Sequence, residues 1–255
     1  MAQTIVFVHG AWVTPACWQS FKTFFEQKGY TCLTPHWPYI DRPVEQLNLS
    51  IDPAFAKTTV KSLTDHYAAI IRSLPEPPIL IGHSFGGLIV QLLLDRGLGA
   101  RGAAIEPGNP SGVLPSLAAV LAAAPVLLTW SGWSKVCKMS FHGFATTFAN
   151  TLPKADMRRV YETQIVPAPG RIYFQAALGI GTSLNFKNPD RPPLLLISAD
   201  KDKTASPSMI RAMYRRHKAS PVRVDFQSFK GLSHWLIAEP GWEAVATAIW
   251  NWAQE

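Results

Sequence analysis

Six short runs of Val, Ile and Leu alternate with helical patterns along this 255-residue chain. The runs are TIVFVHG, TCLTPHW, PILIGH, GAAIEPG, PLLLISAD and VRVDFQSF. Most are continuously apolar, which is typical of strands buried on both faces of a parallel sheet. Helical patterns occupy residues 15–27, 58–73, 85–95 and 242–253. We therefore predict an α/β fold with a doubly wound, mostly parallel six-stranded sheet.

The alternation breaks once, between the fourth and fifth runs. From about residue 109 to residue 190 no convincing core strand occurs, and Ala, Phe, Trp, Pro and Gly are frequent. This stretch is too long for a simple loop. We predict that residues 109–190 form a helical cap or lid on a core domain made of residues 1–108 and 191–255.

Composition and charge narrow the class of protein. Hydrophobic residues make up 47% of the chain and charged residues 16%, as in a compact globular protein. The formal net charge of +7 is partly concentrated in RAMYRRHK, residues 211–218. Its spacing favours a solvated helix face over an anion site, and no aromatic-interleaved basic groove accompanies it. We expect no nucleic-acid partner.

Targeting signals and cysteine usage indicate a cytoplasmic protein. The first ten residues, MAQTIVFVHG, lack the basic and apolar regions of a signal peptide. Cys17, Cys32 and Cys137 are too few and too scattered for a disulfide framework or a metal cluster. They fit a reducing compartment.

The most apolar stretch is VLPSLAAVLAAAPVLLTW, residues 113–130. It is short for a membrane span and is interrupted by Pro115 and Pro125, so we expect no stable span. The pattern favours helical structure over an apolar pocket, and an interfacial segment stays open as an alternative.

A serine stands between glycines in ILIGHSFGGLIV, residues 79–90. Gly82, Ser84 and Gly86 match the G-x-S-x-G nucleophile elbow, in which a sharp strand-to-helix turn requires small neighbours. The alternative is a packing turn that merely uses small residues. The apolar strand before the motif and the helix after it favour Ser84 as a nucleophile.

A serine hydroxyl needs a base to take its proton. Ligands bind beyond the carboxyl ends of strands in a doubly wound sheet, so we searched those ends for histidines. His234 follows the last strand in the turn GLSHW and is the preferred base. His9, His83 and His217 are weaker candidates.

A third residue must orient the base, and Asp202 is preferred because it lies just past the end of the fifth run. Asp200 and Glu106 are the alternatives. Two N–H groups must also stabilise the oxyanion. We assign these donors to the backbone of Phe85 and of Ala11, with Trp12 next after Ala11.

Four stretches together resemble a known family. HGAW, GHSFGG, SADKDKTASP and GLSHW, in this order, resemble the α/β-hydrolase superfamily over essentially the whole chain. The early first strand and the short sheet resemble the small esterases of the methylesterase and hydroxynitrile-lyase group. The resemblance implies an α/β-hydrolase fold and these site residues: Ser84 as nucleophile, His234 as base, Asp202 as acid, and Ala11 and Phe85 as oxyanion donors.

The chain departs from the lyase branch at two positions. Gly10 stands where those lyases typically carry threonine, and Trp235 follows the histidine where they carry lysine. Both departures favour hydrolysis. No dinucleotide-binding motif, phosphate-binding loop or pair of histidines at metal-ligand spacing occurs, so we expect neither a cofactor nor a metal.

We therefore predict an esterase, a cofactor-free serine hydrolase that cleaves carboxylic esters of small to medium hydrophobic substrates. Five aromatic residues are candidates to line its pocket, with ordinary packing as the alternative for each: Trp12, Trp37, Trp130, Trp133 and Phe144. A lactonase, a perhydrolase, a lyase and a ligand-binding receptor with little turnover remain alternatives. A homodimer also stays open.

Overall fold

Eight strands and ten α-helices form the part of the chain that the computed structural model describes, residues 3–255. The strands are β1 (Thr4–Val8), β2 (Thr31–Leu33), β3 (Ile79–His83), β4 (Arg101–Ile105), β5 (Val136–Cys137), β6 (Ala168–Pro169), β7 (Leu194–Ala199) and β8 (Val224–Phe229). The helices are α1 (Gln19–Gln27), α2 (Val44–Leu49), α3 (Val60–Arg72), α4 (Phe85–Asp95), α5 (Leu117–Leu127), α6 (Phe141–Gly143), α7 (Lys154–Gln164), α8 (Gly170–Leu178), α9 (Pro207–His217) and α10 (Trp242–Gln254).

Six of the strands form one parallel sheet in the order β2-β1-β3-β4-β7-β8. The predicted six-stranded, doubly wound sheet is therefore confirmed. In register, Val8 faces Gly82, and Ile105 lies between His83 and Ile197. The ends of β1, β3, β4 and β7 therefore meet at one edge. These four central strands are almost wholly buried, which explains their continuously apolar sequences.

The four predicted helices are present, with small shifts at their ends. Thr59 caps α3 through a reciprocal pair of hydrogen bonds with Ser62. A short 3₁₀ turn, Pro15–Trp18, precedes α1, and Gly29 follows the helix with a positive φ of 88°. The sequence patterns gave no indication of α2 or of a second 3₁₀ turn, Pro53–Lys57.

Residues 106–193 connect β4 to β7 and are called the β4–β7 segment below. They hold α5 to α8 and the short antiparallel pair β5–β6, which lies outside the main sheet. The loop after β1 contacts this pair and the residues just before it: Trp12 Nε1 donates to the Cys137 carbonyl oxygen (2.9 Å), and the Val166 N–H donates to the Trp12 carbonyl oxygen (2.8 Å). The segment thus meets the edge where the central strands end, and its status as a separate cap stays a prediction.

Two other sequence features have clear positions. RAMYRRHK lies largely in α9, where Arg211, Arg215 and Arg216 are exposed while Met213 and His217 are buried. The apolar stretch at residues 113–130 contains α5, with Pro125 inside it. Within residues 3–255, no helix has both the length and the apolar character needed to cross a membrane.

Candidate active site

Ser84 sits in a strained turn between β3 and α4. Its backbone has φ of 56° and ψ of −124°, a conformation that non-glycine residues rarely adopt. Backbone hydrogen bonds hold the turn: the Ser84 N–H donates to Ile105 (3.0 Å), and the Ser84 carbonyl accepts from Leu88 (3.1 Å) and Gly108 (3.0 Å). These contacts with β4 and the loop after it fix the serine at the sheet edge.

The neighbouring glycines allow three backbone segments to meet at this turn. A side chain on Gly82 would overlap the Gly86 carbonyl group, and one on Gly86 would overlap the Val8 carbonyl group. The loop after β1 is also close, because a Cβ atom on Gly10 would lie 2.8 Å from Ser84 Cβ. The small residues of the motif therefore answer a need for close approach.

His234 and Asp202 form a buried pair on the loops after β8 and β7. His234 Nδ1 lies 2.6 Å from Asp202 Oδ2, and the exposed fractions of the two residues are 0% and 4%. Asp202 Oδ1 accepts from the N–H groups of Thr204 (2.5 Å) and Ala205 (2.8 Å). Because an ionised carboxylate only accepts, Nδ1 of a neutral His234 carries the proton and Nε2 keeps its lone pair.

Nε2 of His234 is buried and has no hydrogen-bond partner among residues 3–255. His234 and Ser84 line one cavity, which is described below. An unpaired imidazole nitrogen beside a serine is the arrangement from which a proton can be taken, and such contacts are often longer before a substrate binds.

Two groups hold the His234 loop in place. His83 Nε2 donates to the His234 carbonyl oxygen (2.7 Å), so His83 supports the loop and is directed away from Ser84. Burial lowers the pKa of His83 well below its ordinary value. Glu239 accepts from the Ser233 N–H (2.6 Å) and hydroxyl and from the Thr151 hydroxyl, which links the loop to the β4–β7 segment.

His9 braces the loop after β1 in the same way. Its Nδ1 donates to the Gly10 carbonyl oxygen (2.9 Å), and its Nε2 accepts from the Trp37 N–H (3.3 Å). Burial lowers the pKa of His9 to about 3, so the ring is neutral. With both nitrogens engaged, His9 is not available as a base. Ala11 follows Gly10 and is 2% exposed.

The three candidate acids have distinct environments. Asp200 is partly exposed and accepts from the Gly231 N–H (2.6 Å), away from His234. Glu106 is fully buried, accepts from the Ala199 N–H, and contacts the side chain of Asp202. Burial and the adjacent Asp202 carboxylate raise the pKa of Glu106 well above its ordinary value. Of the three acids, only Asp202 bonds directly to the histidine.

A cavity opens above Ser84 and encloses about 840 Å³ of space, part of its mouth included. Ser84, His234, Asn109 and Thr204 provide polar groups in its lining. Most of the remaining wall is apolar and comes from α5, α8 and α9: Ala119, Val120, Ala122, Ala123, Leu127, Ala176, Ala177 and Met209. A concave, mainly apolar site with a few convergent polar groups is typical of a small-molecule pocket.

Residues 5–248 match a family model described as "Alpha/beta hydrolase family". The chain belongs to the α/β hydrolase family. A search of curated proteins gives no match.

Solved structures of other α/β hydrolases share the fold. A pyrethroid hydrolase from Sphingobium faniae is 19% identical, with a TM-score of 0.71 and coverage of 100% of this chain and 98% of that one. A monoacylglycerol lipase from Paleococcus ferrophilus is 20% identical (TM-score 0.69, coverage 99% and 95%). A methylesterase from Arabidopsis is 15% identical (TM-score 0.69, coverage 100% and 100%).

Of the five aromatic residues predicted to line the pocket of this α/β hydrolase, Trp12 lines it and four lie elsewhere. Trp37 is buried and stacks on His9. Trp130 is 87% exposed. Trp133 packs on Phe174 and Arg171, while the buried Phe144 stacks on Phe148.

Sequence patterns missed Tyr173 and Met139, which line the cavity. The Tyr173 ring lies 4.7 Å from that of Trp12 and 5.0 Å from that of Phe85. No motif marks either residue. Tyr173 lies on α8, and its position depends on how that helix packs on the loop after β1. Among residues 3–255, no group of three or more His, Cys, Asp or Glu side chains could hold a metal ion.

Proposed function

We propose that this α/β hydrolase is a serine esterase that forms an acyl-enzyme on Ser84. One observation carries the proposal: His234 is held by Asp202 through Nδ1 and keeps an unpaired Nε2 in the cavity that contains the strained serine. This combination supplies a nucleophile, a base and an orienting acid.

In the proposed reaction, Ser84 Oγ attacks the ester carbonyl carbon while its proton passes to His234 Nε2. Asp202 stabilises the resulting imidazolium. The N–H groups of Ala11 and Phe85 stabilise the oxyanion. The intermediate then expels the alcohol, which takes the proton from His234. Water repeats these steps on the acyl-enzyme, releasing the acid and restoring Ser84, and no cofactor or metal takes part.

The wall of the cavity supports a hydrophobic ester as the substrate. Its alanine-rich surface offers an acyl or alcohol group little besides apolar contact. The similar structures named above include a hydrolase, a lipase and a methylesterase, which fit the same class of substrate. We also propose that residues 109–190 act as a cap, since α5 and α8 provide much of this wall. A cytoplasmic location stays a prediction.

Among the alternatives, a lyase is disfavoured by the cavity itself. Trp235, which stands where the resembled lyases carry lysine, is 1% exposed and lies outside the lining, and no lysine lines the cavity in the described part of the chain. Lactonase and perhydrolase activities would use the same residues and differ only in the substrate or acceptor.

Hydrolysis of p-nitrophenyl acetate and p-nitrophenyl butyrate tests the proposal. We expect turnover by the wild-type protein and a loss of about 10⁶-fold in kcat for Ser84→Ala and for His234→Ala. Turnover that survives in Ser84→Ala would contradict the proposed nucleophile. Tight binding of a small ligand with no turnover by the wild type would instead favour a receptor.

A further inference from the structure

The exposed apolar side chains of this chain are gathered on the β4–β7 segment. Among the described residues, ten large hydrophobic side chains are exposed, and eight of them belong to this segment. They form what we call the apolar face: Leu114, Leu117, Val120, Leu121, Leu128, Trp130, Leu178 and Ile180. Four of the eight lie on α5 and α8, which pack against each other, and the other four lie in the stretches next to these helices. A concentration of this kind usually marks an interaction surface.

Charge is absent from the stretches that build this face. Residues 107–134 and 172–186 contain no Asp, Glu, Lys or Arg. A surface helix normally has a polar side facing water. α5 lacks one, because its exposed positions include Leu117, Val120 and Leu121.

Cationic groups border the apolar face. Lys135 is exposed and directly follows the uncharged stretch. The Arg171 guanidinium lies 5.1 Å from the centre of the Trp133 ring, beside the turn that packs on α8. Arg216 is exposed and donates to the Gly112 carbonyl oxygen just before α5. An apolar surface with a basic border is complementary to an anionic lipid–water interface.

The apolar face and the cavity share one helix. Ala119, Ala123 and Leu127 of α5 line the cavity, while Leu117 and Leu121 of the same helix are exposed. Pro125 lies inside this helix, where it removes one backbone hydrogen bond. A molecule that covers the face would therefore lie one helix away from Ser84.

We propose that the apolar face docks on the surface of anionic lipid, with α5 lying in the plane of the headgroup boundary. The exposed leucines would contact acyl chains, and Lys135, Arg171 and Arg216 would lie near lipid phosphates. Each basic group near such a surface adds electrostatic attraction that salt screens. A second copy of this chain is a poorer occupant, because a two-fold pairing of the face would bring its cationic borders together.

Docking also narrows the substrate class, an inference that rests on the proposed esterase activity. The enzyme would take amphiphilic esters that partition into lipid, since their acyl chains would already lie beside the wall of the cavity. Lipid binding itself requires no turnover, so the two ideas can fail separately.

The binding test uses full-length Ser84→Ala protein, which cannot consume the lipid, and flotation with vesicles. Vesicles contain phosphatidylcholine alone or phosphatidylcholine with phosphatidylglycerol. We expect binding to the anionic vesicles that weakens with added salt. The double variant Leu117→Asp with Leu121→Asp should bind at least about tenfold more weakly, because charge opposes burial in lipid. Leu49→Asp is the matched control: Leu49 is 82% exposed on α2, outside the face, so its change should have no effect.

Three results would overturn the docking proposal. They are no binding to anionic vesicles, equal binding by the double variant and the parent, and a dimer in light scattering that the double variant disrupts while vesicles stay unbound. Leu117 and Leu121 do not line the cavity, so with Ser84 restored the double variant should hydrolyse p-nitrophenyl acetate like the wild type. Absence of vesicle binding by Ser84→Ala, with full turnover by the wild type, would thus reject docking alone. Vesicle binding by Ser84→Ala without wild-type turnover would reject the esterase alone.

Discussion

The side chains of Glu106 and Asp202 are neighbouring acids, and both are buried away from water. Two neighbouring buried carboxylates repel each other strongly when both are ionised, so one of the two holds a proton. Asp202 accepts hydrogen bonds from Thr204, Ala205 and His234. No lysine or arginine in residues 3–255 forms a salt bridge with either acid. The proton therefore belongs to Glu106, whose pKa is raised by burial and by Asp202.

This proton makes folding stability depend on pH in a specific direction. Above the ordinary Glu106 pKa of 4.5, the unfolded chain loses a proton that the folded chain keeps. The contribution of Glu106 to stability is thus complete below that value and falls as pH rises towards the folded pKa, by at most about 1.4 kcal/mol per pH unit. Glu106→Gln keeps a neutral donor and cannot ionise. Urea unfolding of both proteins across this range should show the variant gaining on the wild type as pH rises.

The same variant gives a kinetic test of the Glu106 proton. If Glu106 is neutral, Glu106→Gln removes no charge from the site, so the pH profile of kcat/KM should be the same in the variant and the wild type. An ionised Glu106 would place a negative charge in the site, and its removal would move the acid side of the profile to lower pH. A shift of that kind, together with a flat stability difference, would show that Glu106 is charged.

Substitutions at Asp202 and at Asp200 distinguish the roles of the two acids in the loop after β7. Asp202→Asn should lower kcat by about 10⁴-fold, because an amide favours the wrong tautomer of His234. Asp200→Asn should change kcat little, since its side-chain oxygen can still accept from Gly231. Both rates are measured with p-nitrophenyl butyrate. The reverse pattern would show that the assignment of Asp202 is wrong.

The fold was predictable where a local structural requirement, such as burial or close backbone approach, restricts which residue types can occur. Burial on both faces requires continuously apolar strands, and the close approach of Val8 to Gly86 requires glycine. The positions of Ser84, Asp202 and His234 follow from the same logic, because parallel strands end at one edge of the sheet. Those three side chains were expected to meet there, and the sheet edge holds all of them.

The wall of the cavity could not be predicted in this way. Most of its residues belong to the β4–β7 segment, and no sequence pattern shows how the helices of that segment are placed on the sheet. Their aromatic side chains led us to predict Trp130 and Trp133 as lining residues. Small alanines of α5 form the wall instead, because this helix packs directly beside the cavity. Tyr173 lines the cavity through the packing of α8 on Trp12.

Enlarging one alanine of α5 should narrow the range of acyl chains. Ala123 lines the cavity, so Ala123→Phe is expected to reduce kcat/KM for long p-nitrophenyl esters while that for the acetate changes little. Ala118→Phe, on the same helix but outside the lining, is the matched control and should preserve the chain-length profile. An unchanged profile in Ala123→Phe would mean that the acyl group binds elsewhere.

Acid should destabilise this protein through its buried neutral histidines. Burial lowers the pKa of His217 from 6.5 to about 3, and Arg191 and Arg216 add to the effect. Below pH 6.5 the unfolded chain binds a proton at His217, whereas the folded chain does not bind it until the pH nears 3. The contribution of His217 to the free energy of unfolding is therefore present above pH 6.5 and is lost as pH falls towards 3. His217→Gln can keep a donor to Gln91 and should reduce the pH dependence of unfolding by up to one proton, or about 1.4 kcal/mol per pH unit. His142→Gln, at an exposed position, is the control for the urea titrations, and an equal pH dependence in all three proteins would show that His217 is not the group involved.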